Sequence, residues 1–97
     1  MEGSGVTSFM VEAFTPTAAT VAALDLSLHD AAAALAAEGI AIRYVRSILV
    51  PDDDTCFYLV EATSEDAVRE SLRRAGFEDA RITRAIETAA IEERDAT

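Results

Sequence analysis

The chain has no lysine and no tryptophan, and it carries a single cysteine, a single histidine and two prolines. One cysteine, Cys56, excludes an intramolecular disulfide and fits a reducing compartment. One histidine, His29, has no clustered partners along the chain, so it is weak evidence for a metal site by itself. Every basic residue is an arginine, and the acidic residues outnumber them, giving a net charge of −10. That excess repels nucleic-acid phosphates and anionic membrane surfaces, so neither is an expected partner. No apolar run approaches membrane-spanning length. Residues 1–5 have neither the basic nor the long apolar region of a signal peptide, so the expected location is cytoplasmic. No catalytic motif is strong enough to name a reaction.

What is present is strong periodicity. About half of the residues are hydrophobic, 51%, which is too many for a disordered chain and enough for one modest core. We expect a single domain over residues 1–97, with a core at about 6–88 and flexible ends at 1–5 and 89–97. Residues 6–14 alternate as a strand. Thr15, Pro16 and Thr17 then punctuate, and proline suits a first helical turn. From about Thr17 to Glu38 the spacing of Val21, Leu24, Leu28, Ala31, Ala32 and Leu35 predicts a helix, with Gly39 as its stop. Two strands follow, at 40–50 and 55–61, joined at Pro51 and the three aspartates after it. A second helix opens at Thr63 or Ser64, presents Val68, Leu72 and Ala75, and ends at Gly76. Arg73 and Arg74 suit its carboxyl end, as Glu65 and Asp66 suit its start. A last strand is expected from about Ala80 to Glu87.

The order β-α-β-β-α-β predicts an α+β, ferredoxin-like sandwich, a four-stranded antiparallel sheet with two helices on one face. The first and third strands are expected as parallel central neighbours. Both registers of the stretch from Ile42 to Glu61 are apolar, which implies that both sheet faces need cover. A carboxylate is costly in a helix-covered core, so the registers holding Glu12 and Glu61 belong to the open face. That face would then expose Met10, Phe14, Phe57 and Leu59, an adhesive patch best covered by a second copy. The expected assembly is a homodimer with a cavity between its sheets.

Glu12 and Glu61 are expected near the same end of that face. With Phe14, and with Tyr44 or Arg46 entering from the second strand, they form the candidate ligand pocket. Two close carboxylates would raise one pKa and suit acid–base work or a hard metal. The plainer alternative is a pair of structural carboxylates bonded to arginines. Cys56 is expected as a packed small hydrophobe. The aspartates at 52–54 lack the ligand spacing of a calcium loop and are expected as a solvated turn. The arginines at 69, 73 and 74 are expected to pair with Glu65, Asp66 and Glu70.

The runs 43–48, 54–57 and 60–62, with Ala67-Val68-Arg69-Glu70, Arg73-Arg74-Ala75-Gly76 and Phe9-Met10-Val11-Glu12, resemble a family of small bacterial proteins abundant in actinobacteria. These are a domain of unknown function often labelled nickel-binding proteins. The resemblance covers about Phe9 to Ile86. It implies a ferredoxin-like homodimer and binding of a divalent metal such as nickel. Many of those relatives have His-Ser where this chain has Arg46-Ser47, and a permanently cationic arginine cannot replace an imidazole ligand. The remaining candidate metal donors are His29, Glu12 and Glu61. Three functions stay open: a homodimeric metal- or small-ligand-binding protein, a dimeric α+β barrel enzyme acting on a small hydrophobic substrate, and a structural or regulatory assembly module.

Overall fold

A computed structural model of the chain describes residues 6–14, 18–77 and 79–86. The elements are β1 (Thr7–Phe14), α1 (Ala18–Ala37), β2 (Ile42–Val50), β3 (Thr55–Ala62), α2 (Glu65–Arg74) and β4 (Arg81–Ala85). They form the expected ferredoxin-like sandwich, with one sheet in the order β2-β3-β1-β4. The ends, the Pro16 turn and Glu87 lie outside the described residues.

All three strand pairings are antiparallel. The expectation that β1 and β3 run parallel is therefore corrected. The crossover through α1 brings β2 back parallel to β1. The β2–β3 hairpin reverses the chain again, so β3, inserted between them, opposes both.

Phe9, Val11 and Ala13 of β1 and Cys56, Tyr58, Val60 and Ala62 of β3 are buried under the helices. Val21, Leu28, Ala32 and Leu35 of α1 meet them from above, with Ala67, Val68 and Leu72 of α2. Each fully buried Leu or Val side chain here contributes about 1.5–3 kcal/mol of transfer free energy. The alternate registers of β1 and β3, with Glu12 and Glu61, lie on the uncovered face, as the cost of a buried carboxylate predicts.

Both helices stop as their glycines foretell. Gly39 and Gly76 each take φ +89°, a conformation that costs a side chain dearly. The paired bonds Gly39 N to Ala36 O and Ile40 N to Leu35 O close α1. Gly76 N to Arg73 O and Phe77 N to Leu72 O close α2 in the same way. In each case the residue after the glycine packs on the core, completing the Schellman motif. Ser64 caps the start of α2, its Oγ accepting from the Ala67 N–H at 3.1 Å.

The β2–β3 turn is a short 3₁₀ segment, Pro51–Asp53, with Asp54 left-handed at φ 50°. All four residues are exposed. The α2 arginines pair with Glu65 and Glu70 along the helix. Arg74 also reaches across to Glu38 at the end of α1, Nη1 to Oε2 at 2.9 Å.

Candidate functional site

The geometry that matters sits at the edge strand β2. Its register with β3 slips between Tyr44 and Arg46, leaving Val45 as the extra residue of a β-bulge. An inserted residue reverses the alternation beyond it. Before the bulge, Ile42 and Tyr44 face the helices and Arg43 faces out. After it, Ser47 and Leu49 take the helix side, level with Tyr58 and Cys56, while Arg46, Ile48 and Val50 fall to the open face. The mixed phase of this segment in the sequence is thus partly the trace of a bulge.

On the open face, Met10 and Leu59 are register partners, and Phe57 and Glu12 follow one row away. Val45 and Leu59, with Ser8 and Met10, border a shallow depression of about 260 Å³ whose rim includes Arg46 and Glu61. Phe14 is 78% exposed and Ile48 is 51% exposed. Glu61 is held by Arg43, Nη2 to Oε1 at 2.9 Å. Glu12 lies level with Arg81.

Glu12 and Glu61 do not share one end of this face. Antiparallel register sets Glu12 against Phe57 and Glu61 against Ser8. Four positions at about 3.3 Å each put them roughly 13 Å apart along the strands. His29 belongs to α1, which covers the other side of the sheet, so His29, Glu12 and Glu61 do not converge within one protomer. Among the described residues no group of three or more His, Cys, Asp or Glu side chains could hold an ion.

A second cavity opens on the helix side, under the bulge. It has a volume of about 270 Å³ and lies between α1 and β2. Asp25 and His29, one helical turn apart, border it from α1, and Tyr44, Arg46, Ser47 and Tyr58 border it from the sheet. Ser47 donates its hydroxyl to Asp25 Oδ2 at 3.3 Å. Asp25 Oδ1 and the Tyr58 hydroxyl are buried and complete no well-formed hydrogen bond among the described residues, although the phenol lies close enough to the Asp25 carboxylate and the Cys56 thiol to interact with both.

The two tyrosines differ. Tyr44 Oη lies 2.6 Å from Ser71 Oγ. Ser71 spends its own proton on the Val68 carbonyl at 2.7 Å, so Tyr44 is the donor. Burial pushes the Tyr44 phenol up to about 12, against the opposing effect of that bond. Tyr58 is 2% exposed. Burial first, then the neighbouring Cys56 thiol and Asp25 carboxylate, hold its phenol far above the ordinary value. The rings of Tyr44, Tyr58 and Phe77 meet edge to face, with centroids 6.1 and 6.0 Å apart. Burial likewise raises the Cys56 thiol, which leaves it an inert packed group.

Among the residues singled out in the sequence, Tyr44 and His29 border the helix-side cavity, while Arg46, in the open-face register, lies on the rim that this cavity shares with the open-face depression. It leaves Glu12, Glu61 and Phe14 on the open face. Asp25, Ser47 and Tyr58 are missed by sequence reasoning. The spacing of Asp25 and His29, four residues apart on one helix, is a legible signal for the first of them.

Comparison with curated proteins and with solved structures finds no match. The nickel responsive protein family described as SCO4226-like matches residues 9–84, from within β1 into β4. The chain belongs to that SCO4226-like family of nickel responsive proteins.

Proposed function

We propose that this chain is a small divalent-metal-binding protein, nickel being the expected ion, that acts as a homodimer through its open sheet face. The observation that carries the proposal is the composition of that face. Met10, Val45, Ile48, Phe57 and Leu59 form its apolar middle, and an uncovered sheet of this kind calls for a partner. Its charges favour a second copy. Arg43, Arg46 and Arg81 share that face with Glu12 and Glu61, so there the arginines offset the carboxylates even though each chain carries a net charge of −10.

Among the described residues one protomer offers a metal too few donors on this face, which fits an ion completed by both copies. A two-fold interface doubles every carboxylate, and a nickel site of oxygen and nitrogen donors tolerates water in its remaining positions. Glu61 and Glu12 are the groups that would hold it, and Arg43 would have to release Glu61. His29, on the other side of the sheet, lies outside such a site.

The test is Leu59→Asp, which puts a carboxylate in the middle of the apolar face. Size-exclusion chromatography and nickel titration calorimetry should show a folded monomer that has lost nickel uptake. A variant that remains dimeric would place the interface elsewhere.

A further inference from the structure

At the sheet edge opposite β2, a groove of about 310 Å³ runs between α2 and β4. Leu72 of α2, Phe77 and Ala80 of the connection and Ile82 of β4 form its apolar floor. Arg69 and Arg73, one helical turn apart, form its rim. Ile82 stands level with Val11, and Arg84 stands level with Phe9. Both β1 residues are buried under the helices, so Ile82 and Arg84 share the helix side, and Arg84 extends the basic rim along β4. Among the described residues β4 has β1 as its one neighbour, which leaves its outer row of backbone groups open to a further segment.

The chemistry of this groove selects an acidic segment with an apolar anchor. Arg73 spends Nε and Nη2 on Glu70, and Arg69 spends Nη2 on Glu65. Each guanidinium keeps further N–H donors, and exposed pairs along a helix hold weakly. Arg84 makes no ion pair among the described residues. Phe77 and Ile82 are only half-buried, so a hydrocarbon laid over them removes apolar surface from water.

A segment of that character follows β4 directly. Residues 87–97 carry Glu87, Glu92, Glu93 and Asp95 against Arg94, and Ile91 is their one large apolar side chain. In a chain of net charge −10, a basic rim attracts this segment where an acidic surface would repel it. The reach suffices: the five residues from Ile86 to Ile91 span up to about 16 Å, and Ile86 lies about 13 Å beyond Ile82 along the strand.

We propose that residues 87–97 fold back onto the α2–β4 groove of their own chain, with Ile91 on its apolar floor and Glu92 and Glu93 against Arg69, Arg73 and Arg84. The contact covers the outer edge of β4 from the helix side. It stays clear of the open face, so it depends on neither the dimer nor an ion.

The test is nuclear magnetic resonance of the full chain labelled with ¹³C and ¹⁵N. The Ile91 methyl groups should give cross-relaxation peaks to the Phe77 ring and to Ile82, unchanged on dilution. The heteronuclear ¹H–¹⁵N values of residues 90–93 should match those of α2. Ile91→Asp should lower those values to the level of a free chain end and shift the amides of Arg69, Leu72, Phe77 and Ile82. Glu92→Gln with Glu93→Gln should weaken the Ile91 peaks, as should about 1 M salt, where charges are screened beyond about 3 Å. Absence of Ile91 peaks to Phe77 and Ile82 would overturn the proposal. So would peaks that vanish on dilution, which would assign the groove to the tail of a second copy. A tail that stays ordered in Ile91→Asp, or peaks unchanged by the paired glutamine substitutions, would overturn it as well.

Discussion

Tyr44 and Tyr58 touch edge to face, yet removing their hydroxyls should have opposite consequences. In Tyr44→Phe one bond is lost, that to Ser71 at 2.6 Å. Ser71 keeps its bond to the Val68 carbonyl, so no buried group is stranded. The expected loss is that of one satisfied hydrogen bond, about 0.5–1.5 kcal/mol. In Tyr58→Phe the deleted oxygen completes no well-formed bond among the described residues, while the ring keeps its contacts with Tyr44 and Phe77. Its desolvation cost disappears, offset by the loss of its contacts with the Asp25 carboxylate and the Cys56 thiol beside it, so stability should hold or rise slightly. Urea unfolding followed by circular dichroism at pH 7, at one fixed protein concentration, measures both. With a slope near 1 kcal/mol/M, Tyr44→Phe should lower the midpoint by roughly 0.5–1.5 M. Tyr58→Phe should leave it in place or raise it. If Tyr58→Phe lowers the midpoint as far as Tyr44→Phe does, the Tyr58 hydroxyl makes a full-strength hydrogen bond, and the distinction drawn between the two tyrosines fails.

Two further outcomes follow from the charges. Arg73 and Arg74 hold the Glu70 carboxyl down to about 2, against an ordinary 4.5. A depressed carboxylate contributes stability above its unfolded pKa and loses it as pH falls through the folded value. Acid titration should therefore weaken the Glu70 pairs along α2 between about pH 4.5 and pH 2, an effect that shrinks in high salt and is absent in Glu70→Gln. Arg46→His replaces a permanent cation with an imidazole in the open-face register. Calorimetry should show nickel binding at least about tenfold tighter, or about 1.4 kcal/mol, and no gain would remove position 46 from the metal's surroundings.

The elements were legible because local chemistry and long-range packing agree in them. Ser64, Gly39 and Gly76 mark helix ends by backbone needs that few other residues meet, and the stripe from Val21 to Leu35 has one face to bury. The glutamates at 12 and 61 reveal the open face for the same reason that they avoid the core. Strand direction was misjudged because pattern alone does not say that β3 inserts between β1 and β2. That error carried the two glutamates to one end of the sheet when they stand at opposite ends. The bulge at Val45 was hidden because an inserted residue looks like mixed patterning. Without it, Tyr44 and Arg46 share a face; with it, they part, and Ser47 joins Tyr58 beneath α1. Tyr58 itself reads as ordinary core, since only the structure reveals that its hydroxyl borders a cavity beside Asp25.

The most direct measurement is native mass spectrometry of the metal-free protein, before and after addition of nickel. The account predicts a dimer at micromolar concentration that takes up a fixed number of nickel ions per dimer. A monomer, or a dimer that takes up none, would contradict it.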